Sequence, residues 1–184
     1  MYRVSFSSRR LAAHLRHGGL IAYPTESCYG LGCDPDNRKA VKRLLKLKQR
    51  PQHKGVILIA ANYQQVAHYL DPLNLEQQQQ LIHAGKQVVT YLMPVCNSTP
   101  RWLRGKHPTL AIRLTAHRQA AQLCRNSRSA LVSTSANRSG QRPAKNAAQC
   151  RRLFGSKVWV LPGRVGKRKQ PSTIRDWRSD KIIR

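Results

Sequence analysis

The chain has 184 residues, 40% of them hydrophobic, and its 34 Lys/Arg against seven Asp/Glu give a formal net charge of +27. That length suits one well-cored domain over 1–184, and no apolar run approaches the ~20 residues of a membrane span, so no membrane association is expected. Seven acids are too few for the converging carboxylates of two-metal catalysis, and the only close pair, Asp34 and Asp36, stands beside a predicted helix start where Asp commonly caps.

The N-terminus, Met1-Tyr-Arg-Val-Ser-Phe, lacks the apolar core of a signal peptide, so a cytoplasmic location is expected. Five scattered cysteines, Cys28, Cys33, Cys96, Cys124 and Cys150, contain no Cys-x-x-Cys pair and signal neither a disulfide frame nor a zinc site. The basic residues are unevenly placed. Residues 1–55 hold twelve Lys/Arg, 56–100 only Lys86, and 138–184 fourteen. Such a field attracts polyanions, either nucleic acid or nucleotide phosphates, although a solvated basic surface without a specific partner has the same composition.

In chain order, Ser7 or Ser8 can cap a first helix with Leu11, Ala12 and Leu15 on one face and Gly18-Gly19 as its stop. A strand follows at 20–23. It breaks at Pro24, which has no N–H for a ladder, into a polar loop carrying Thr25, Glu26, Gly30 and Gly32. Asp36 or Asn37 can cap a second helix, in which Val41, Leu44, Leu45 and Lys48 recur at i, i+3, i+4, i+7. Lys48 and Arg50 close that helix before Pro51, where a cation can satisfy the helix dipole or face a ligand.

The apolar run 56–60 predicts a strand buried on both faces. Helices are predicted at 62–70 and 74–83, a strand at 88–93, and a long irregular surface loop at 96–108. A strand at 110–114 carries Arg113, a costly residue inside an apolar strand unless it meets a cleft, a ligand or an acid. A helix at 117–125, a strand at 131–137 that runs into polar residues, a helix at 147–154, a strand at 158–161, a basic loop at 162–170 and strands at 172–175 and 182–184 complete the chain. Strands and helices mixed without strict alternation predict an α/β domain, a twisted mixed parallel and antiparallel sheet with flanking helices.

Three strands thus end in small hydroxyl residues: Tyr23-Pro-Thr25, Val132-Ser-Thr-Ser-Ala-Asn137 and Pro171-Ser-Thr173. With Lys48, Arg50, Lys54 and Arg113 around them, these ends offer donors for phosphate and carboxylate. There is no Gly-x-x-x-x-Gly-Lys-Ser/Thr, no Gly-x-Gly-x-x-Gly and no Gly-x-Ser-x-Gly, which argues against a Walker ATPase, a Rossmann site and a serine hydrolase.

Six motifs in register carry a resemblance over nearly the whole chain. They are Tyr23-Pro-Thr-Glu-Ser-Cys-Tyr-Gly-Leu-Gly, Leu47-Lys-Gln-Arg-Pro, Lys54-Gly-Val-Ile-Leu-Ile, Leu110-Ala-Ile-Arg, Ser133-Thr-Ser-Ala-Asn-Arg-Ser-Gly and Pro171-Ser-Thr-Ile-Arg-Asp. Together they resemble the YrdC-type threonylcarbamoyl-AMP synthases, in their short single-domain bacterial form. The resemblance implies a YrdC-like fold around a basic concave cavity and a cytoplasmic nucleotidyltransferase. That enzyme takes L-threonine, bicarbonate and ATP to threonylcarbamoyl-AMP and pyrophosphate, for N6-threonylcarbamoyladenosine in tRNA. It places threonine near Thr25, Arg113 and Ser133, with Ser172 closing the pocket, and nucleotide near Lys48, Arg50, Lys54, Thr109, Ser135, Asn137 and Arg184. Mg²⁺ is expected on the nucleotide phosphates rather than in a protein cage. The proteins that transfer the threonylcarbamoyl group to tRNA are the implied downstream partners.

The chemistry agrees with that assignment. Carbamate and triphosphate are both anionic, so positioning and cations matter more than an acid–base pair. Lys48 and Arg50 are the expected catalytic residues, and Arg113 suits the threonine carboxylate through its bidentate fork. One departure stands out: where many relatives read Pro-Gly-Pro-x-Thr, this chain reads Lys86-Gln-Val-Val-Thr90. The alternative reading is a basic module binding tRNA or double-stranded RNA with weak or no catalysis; the basic loop Gly163-Arg-Val-Gly-Lys-Arg-Lys-Gln170 favours such contacts. A carbamoyl-handling relative with another acceptor would share the fold. Glu26, the only acid of the first motif, can orient a cation, assist a metal-bound nucleotide or cap the turn.

Overall fold

Alternation of apolar side chains along the strands decides how the layers stack. The computed structural model describes residues 8–184, and the side-chain cap expected at Ser7 or Ser8 lies outside the described residues. Helix α1 (Ser8–Arg16) leads into β1 (Ile21–Pro24), β2 (Tyr29–Cys33) and α2 (Arg38–Lys48). Then come β3 (Ile57–Ala60), α3 (Leu75–Lys86), β4 (Val89–Pro94), α4 (Arg101–Arg104), β5 (Thr109–Leu114), α5 (Arg118–Ser127), β6 (Leu131–Ser135), α6 (Ala147–Phe154), β7 (Trp159–Val160) and β8 (Thr173–Asp176).

The strands form one sheet of order β7-β1-β2-β6-β3-β5-β4-β8. It is mixed: β1/β7, β3/β5 and β4/β8 are parallel, and the other neighbours antiparallel. Ala22, Leu31, Leu58, Val132, Ile112 and Tyr91 point into one core with Val41, Leu44 and Leu81. Their neighbours Ile21, Tyr23, Ile59 and Leu131 point the other way, against Leu11 and Leu15 of α1 and Leu123 and Cys124 of α5. A period of two therefore buries both faces, as the expected continuous apolar strands require. α1 and α5 cover only part of their face. The stretch beyond Ile59 and Leu131 is left for polar side chains.

Asn37, not Asp36, caps α2, its Oδ1 accepting from the Ala40 N–H at 3.0 Å. Asp36 instead accepts from the Tyr69 hydroxyl at 2.6 Å, and Asp34 accepts from the Asp36 N–H, so the acid pair is structural. Asn74 and Gln77 form a reciprocal capping box at the start of α3.

Three expectations are corrected. The helix predicted at 62–70 is two separate 3₁₀ turns, Tyr63–Gln65 and Ala67–Tyr69, because the Gln65 side chain leaves the surface to bind Ala61 N–H and Cys124 C=O. The loop predicted at 96–108 contains α4, too short to show a period. Leu103 anchors it at 0% exposure, and the Trp102 indole N–H donates to Pro35 C=O at 3.0 Å. The strand predicted at 182–184 is reduced to a single bridge from Ile182 to Arg175.

Gly85, late in α3, lies so close to β5 that an added Cβ would stand 2.3 Å from the Leu114 carbonyl oxygen. Helix propensity alone says Gly85→Ala should stabilise by about 1 kcal/mol. Overpacking against rigid backbone outweighs this, so the expected result in urea titration is a net loss of roughly 1–3 kcal/mol. A gain in stability would show that α3 can move off β5.

Candidate active site

The site grows from the part of the Tyr23-bearing sheet face outside the α1/α5 core, where Ser133, Arg113 and Thr90 are buried polar residues. On β6, Ser133 follows Leu131 on that face; on β5, Arg113 alternates with the core residues Ile112 and Leu114; on β4, Thr90 alternates with the core residue Tyr91. β3 lies between β6 and β5, with Ile57 beside Ser133 and Ile59 beside both Leu131 and Arg113. Two strand spacings across the sheet and two residues along it, about 12 Å in all, therefore separate the backbones of Ser133 and Arg113. The Tyr23 hydroxyl donates to Ser133 Oγ at 2.9 Å, and burial pushes the tyrosine's pKa far up, so it stays a donor. Thr90 donates to Ser172 Oγ at 2.8 Å, which brings Ser172 to the same face from the start of β8.

Gly30 lies opposite Tyr23 in the β1/β2 pair, and Gly32 two residues on. A Cβ at Gly32 would meet the Tyr23 ring and the Val132 carbonyl oxygen, each at 2.8 Å, so the glycines make room for the ring that carries the hydroxyl to Ser133. The Tyr29 hydroxyl donates to the Leu161 and Gly163 carbonyls, tying down the loop at 162–170.

Glu26 orients a cation. Its Oε2 lies 3.4 Å from Arg113 Nη2, and its Oε1 accepts from the Thr115 hydroxyl at 2.8 Å. Burial raises the carboxyl's pKa, but Arg113, the backbone and Thr115 outweigh it and hold Glu26 below its ordinary range. Arg113 keeps its Nε buried and without an acceptor. Thr25 donates its hydroxyl to Cys28 C=O at 2.8 Å, and its own carbonyl accepts from Gly166 N–H. Arg168 N–H donates to Glu26 C=O, so the basic loop lies over the Thr25–Glu26 turn.

Lys48 ends α2 buried, at 4% exposure, and its ammonium reaches past its own helix to the loop after β6. There it meets Ser135 O and Oγ at 2.8 and 3.2 Å and Asn137 O and Oδ1 at 3.2 and 2.7 Å. Ser139 returns the connection by donating N–H and hydroxyl to Lys48 C=O. All these acceptors are neutral. Burial, then the neighbouring Arg50, lower the Lys48 pKa to about 8. Burial, then Arg184, lower that of Arg50. Arg50 also donates from Nε to Gly55 C=O and from Nη2 to Lys54 C=O. The two ion pairs among the described residues are Arg113–Glu26 and Arg175–Asp180, so Lys48, Arg50 and Arg184 crowd together with no Asp or Glu partner.

The expected residues are thus gathered as Lys48–Ser135–Asn137, Arg50–Lys54–Arg184, Arg113 beside the Thr25–Glu26 turn, and Ser133 under Tyr23. Lys54 is exposed, and Thr109, half-buried at the start of β5, pairs with Pro94. Tyr23, Thr90 and Thr115 were missed as site residues. Alternation along β4 could have found Thr90, whereas the long-range bonds of Tyr23 and Thr115 leave no mark in sequence. Among the described residues no group of three His, Cys, Asp or Glu could hold a metal, and no helix is long and apolar enough to cross a membrane.

A mixed α/β sheet whose strand ends gather cations, hydroxyls and amides, with its one buried acid already paired, makes this an α/β protein with a donor set suited to anions. The comparisons make the assignment specific. The family model Sua5_yciO_yrdC, described as "Telomere recombination", matches residues 13–184, and the chain belongs to this family. It is 51% identical over 177 residues to a threonylcarbamoyl-AMP synthase of Methylobacillus flagellatus, covering 96% of this chain and 98% of that one. It is 49% identical over 176 residues to one of Chromobacterium violaceum, covering 96% and 91%. Among solved structures, P. abyssi Sua5 complexed with L-threonine superposes with a TM-score of 0.83 at 29% identity over 92% of this chain; the match spans 50% of the Sua5 chain.

Proposed function

We propose that this protein is a threonylcarbamoyl-AMP synthase, condensing L-threonine, bicarbonate and ATP into threonylcarbamoyl-AMP with release of pyrophosphate. The observation that carries this reading is the run Lys48, Arg50 and Arg184, in which Arg50 neighbours both other cations and none is paired with an Asp or Glu. A polyanion is what such a cluster lacks, and the threonylcarbamoyl-AMP synthases named above supply its identity.

In this reading Arg113, oriented by Glu26, takes the threonine carboxylate through its free Nε and remaining N–H groups. Ser133, already accepting from Tyr23, donates its own proton to the threonine hydroxyl. The Thr25 turn and Ser172 flank the amino acid. The threonine amine adds to the carbon of bicarbonate-derived CO₂, losing a proton, to give a carbamate. A carbamate oxygen attacks the α-phosphorus; the new P–O bond forms as the bond to the β-phosphate oxygen breaks, and pyrophosphate leaves with the electron pair. Lys48, Arg50, Lys54 and Arg184 neutralise charge along the phosphates, while Ser135 and Asn137 hold the Lys48 ammonium in place. Thr109 and Asn137 lie on the nucleotide side. Mg²⁺ arrives on the phosphates, because the donors here are cations, hydroxyls and amides rather than the carboxylates a protein cage would use. The product serves N6-threonylcarbamoyladenosine formation on tRNA in the cytoplasm, handed to a threonylcarbamoyl-transfer protein. The reading as a non-catalytic RNA-binding module is not favoured.

The test is direct. With ATP, labelled bicarbonate and single amino acids, the expected result is pyrophosphate and a labelled adenylate with threonine alone. Tight, salt-sensitive tRNA binding beside no adenylate with any amino acid would overturn it.

A further inference from the structure

An open cavity of about 500 Å³ lies beside the expected site rather than within it, lined by Gln52, His53, Arg101, Arg104, Gly105 and Lys106. Its lining comes from the 3₁₀ turn Gln52–Lys54 on one side and from α4 with the two residues after it on the other. Its walls are fixed by backbone. Lys106 N–H donates to His53 C=O, Gly105 N–H to Arg101 C=O, and Val56 N–H to Leu103 C=O. Gly105 has φ +64°, and a Cβ there would stand 2.3 Å from the His53 carbonyl oxygen, so the two segments approach as closely as they do because the residue is glycine.

Three basic side chains line this cavity, and neither ion pair of the described residues involves them. Arg104 donates Nη1 to His107 C=O at 2.9 Å, but its Nε is buried without an acceptor. The cavity also shares a wall with the phosphate cations. Arg50 grips the carbonyls of Lys54 and Gly55 from one side of the turn, while Gly55 rests against the Arg104 carbonyl on the other.

We propose that this cavity is a second anion site, specific for compact diphosphates, that receives pyrophosphate as it leaves the α-phosphorus. The inference rests on the functional reading above. Three basic side chains around one opening and adjacency to Lys54 suit a small multivalent anion. Drawing pyrophosphate past Lys54 separates it from the new acyl phosphate, which opposes the reverse attack of a pyrophosphate oxygen on the α-phosphorus.

The experiment is calorimetric titration of inorganic pyrophosphate into the full chain and into the double variant Arg101→Ala/Lys106→Ala, at fixed ionic strength. Both side chains are exposed, so the fold should survive, and thermal melting checks this. Arg104→Gln is the second variant. The parent isotherm should resolve two pyrophosphate sites, and one of them should weaken at least tenfold in each variant, while a non-hydrolysable ATP analogue and L-threonine bind within twofold of the parent. An unchanged pyrophosphate affinity, or an equal fall for the ATP analogue, overturns the inference. So does a loss confined to a short RNA duplex, which would make the cavity a nucleic-acid contact. Adenylate formation by the parent separates the two readings: a chain that makes adenylate but ignores the double substitution sinks this inference alone, and one that makes none sinks the enzyme.

Discussion

Lys48→Met should weaken nucleotide binding by about two orders of magnitude and abolish adenylate formation, while changing thermal stability little. Removing a desolvated cation from an anion site costs about 3 kcal/mol or more of binding, and 1.4 kcal/mol is tenfold. The stability terms oppose each other. The buried ammonium lacks a charged partner and its pKa is lowered to about 8, so its charge burdens the native state below pH 8. That burden lifts as pH rises toward 10.5, where the unfolded chain also loses the proton. Against this, methionine leaves the Ser135 and Asn137 oxygens without their donor. The pH dependence provides the signature. In the parent, affinity for a non-hydrolysable ATP analogue should fall as pH rises through about 8, and in Lys48→Met this fall should vanish. A variant that loses stability as steeply as affinity, with the same pH profile as the parent, would make Lys48 a structural residue.

Arg113→Met should lower stability by roughly 3–5 kcal/mol, because it strands Glu26 in a buried position with only the Thr115 hydroxyl and backbone for company. For a chain of this size that is a fall on the order of 10 °C in Tm. Adding Glu26→Gln should return most of the lost stability and none of the threonine affinity, a coupling that a double-mutant cycle measures. In the parent, Glu26 has a depressed pKa, so its contribution is complete above its ordinary value of 4.5 and disappears as pH falls through the lower folded value. Glu26→Gln alone should therefore flatten the acid limb of the stability profile. If the double variant binds threonine as well as the parent does, Arg113 is not the carboxylate ligand.

Much of this was legible in the chain because it is local. Apolar spacing at Val41, Leu44, Leu45 and Lys48 predicts both a helix and a buried face, and the face is buried as expected. The break at Pro24 places a polar turn where β1 ends. The failures have equally local causes. Residues 62–70 look helical by composition, but Gln65 binds across to α5, and propensity yields to that contact. α4 spans four residues, fewer than the repeat needs to declare itself.

For the site, the sequence by itself determined the chemical inventory: hydroxyl-ended strands, a helix ending in cations, an arginine inside an apolar strand, and very few acids. It also determined the family, through six motifs in register. Only the tertiary structure decided the pairings. Sheet order brings Ser133 and Arg113 to one face with β3 between them. Long-range contacts give Glu26 to Arg113, Tyr23 to Ser133, and the Lys48 ammonium to Ser135 and Asn137 rather than to its own helix. These partners are 87 to 110 residues apart or on separate strands, and side-chain periodicity reports only on neighbours within a turn or two. Which buried polar group satisfies which is therefore settled by the packing of the sheet.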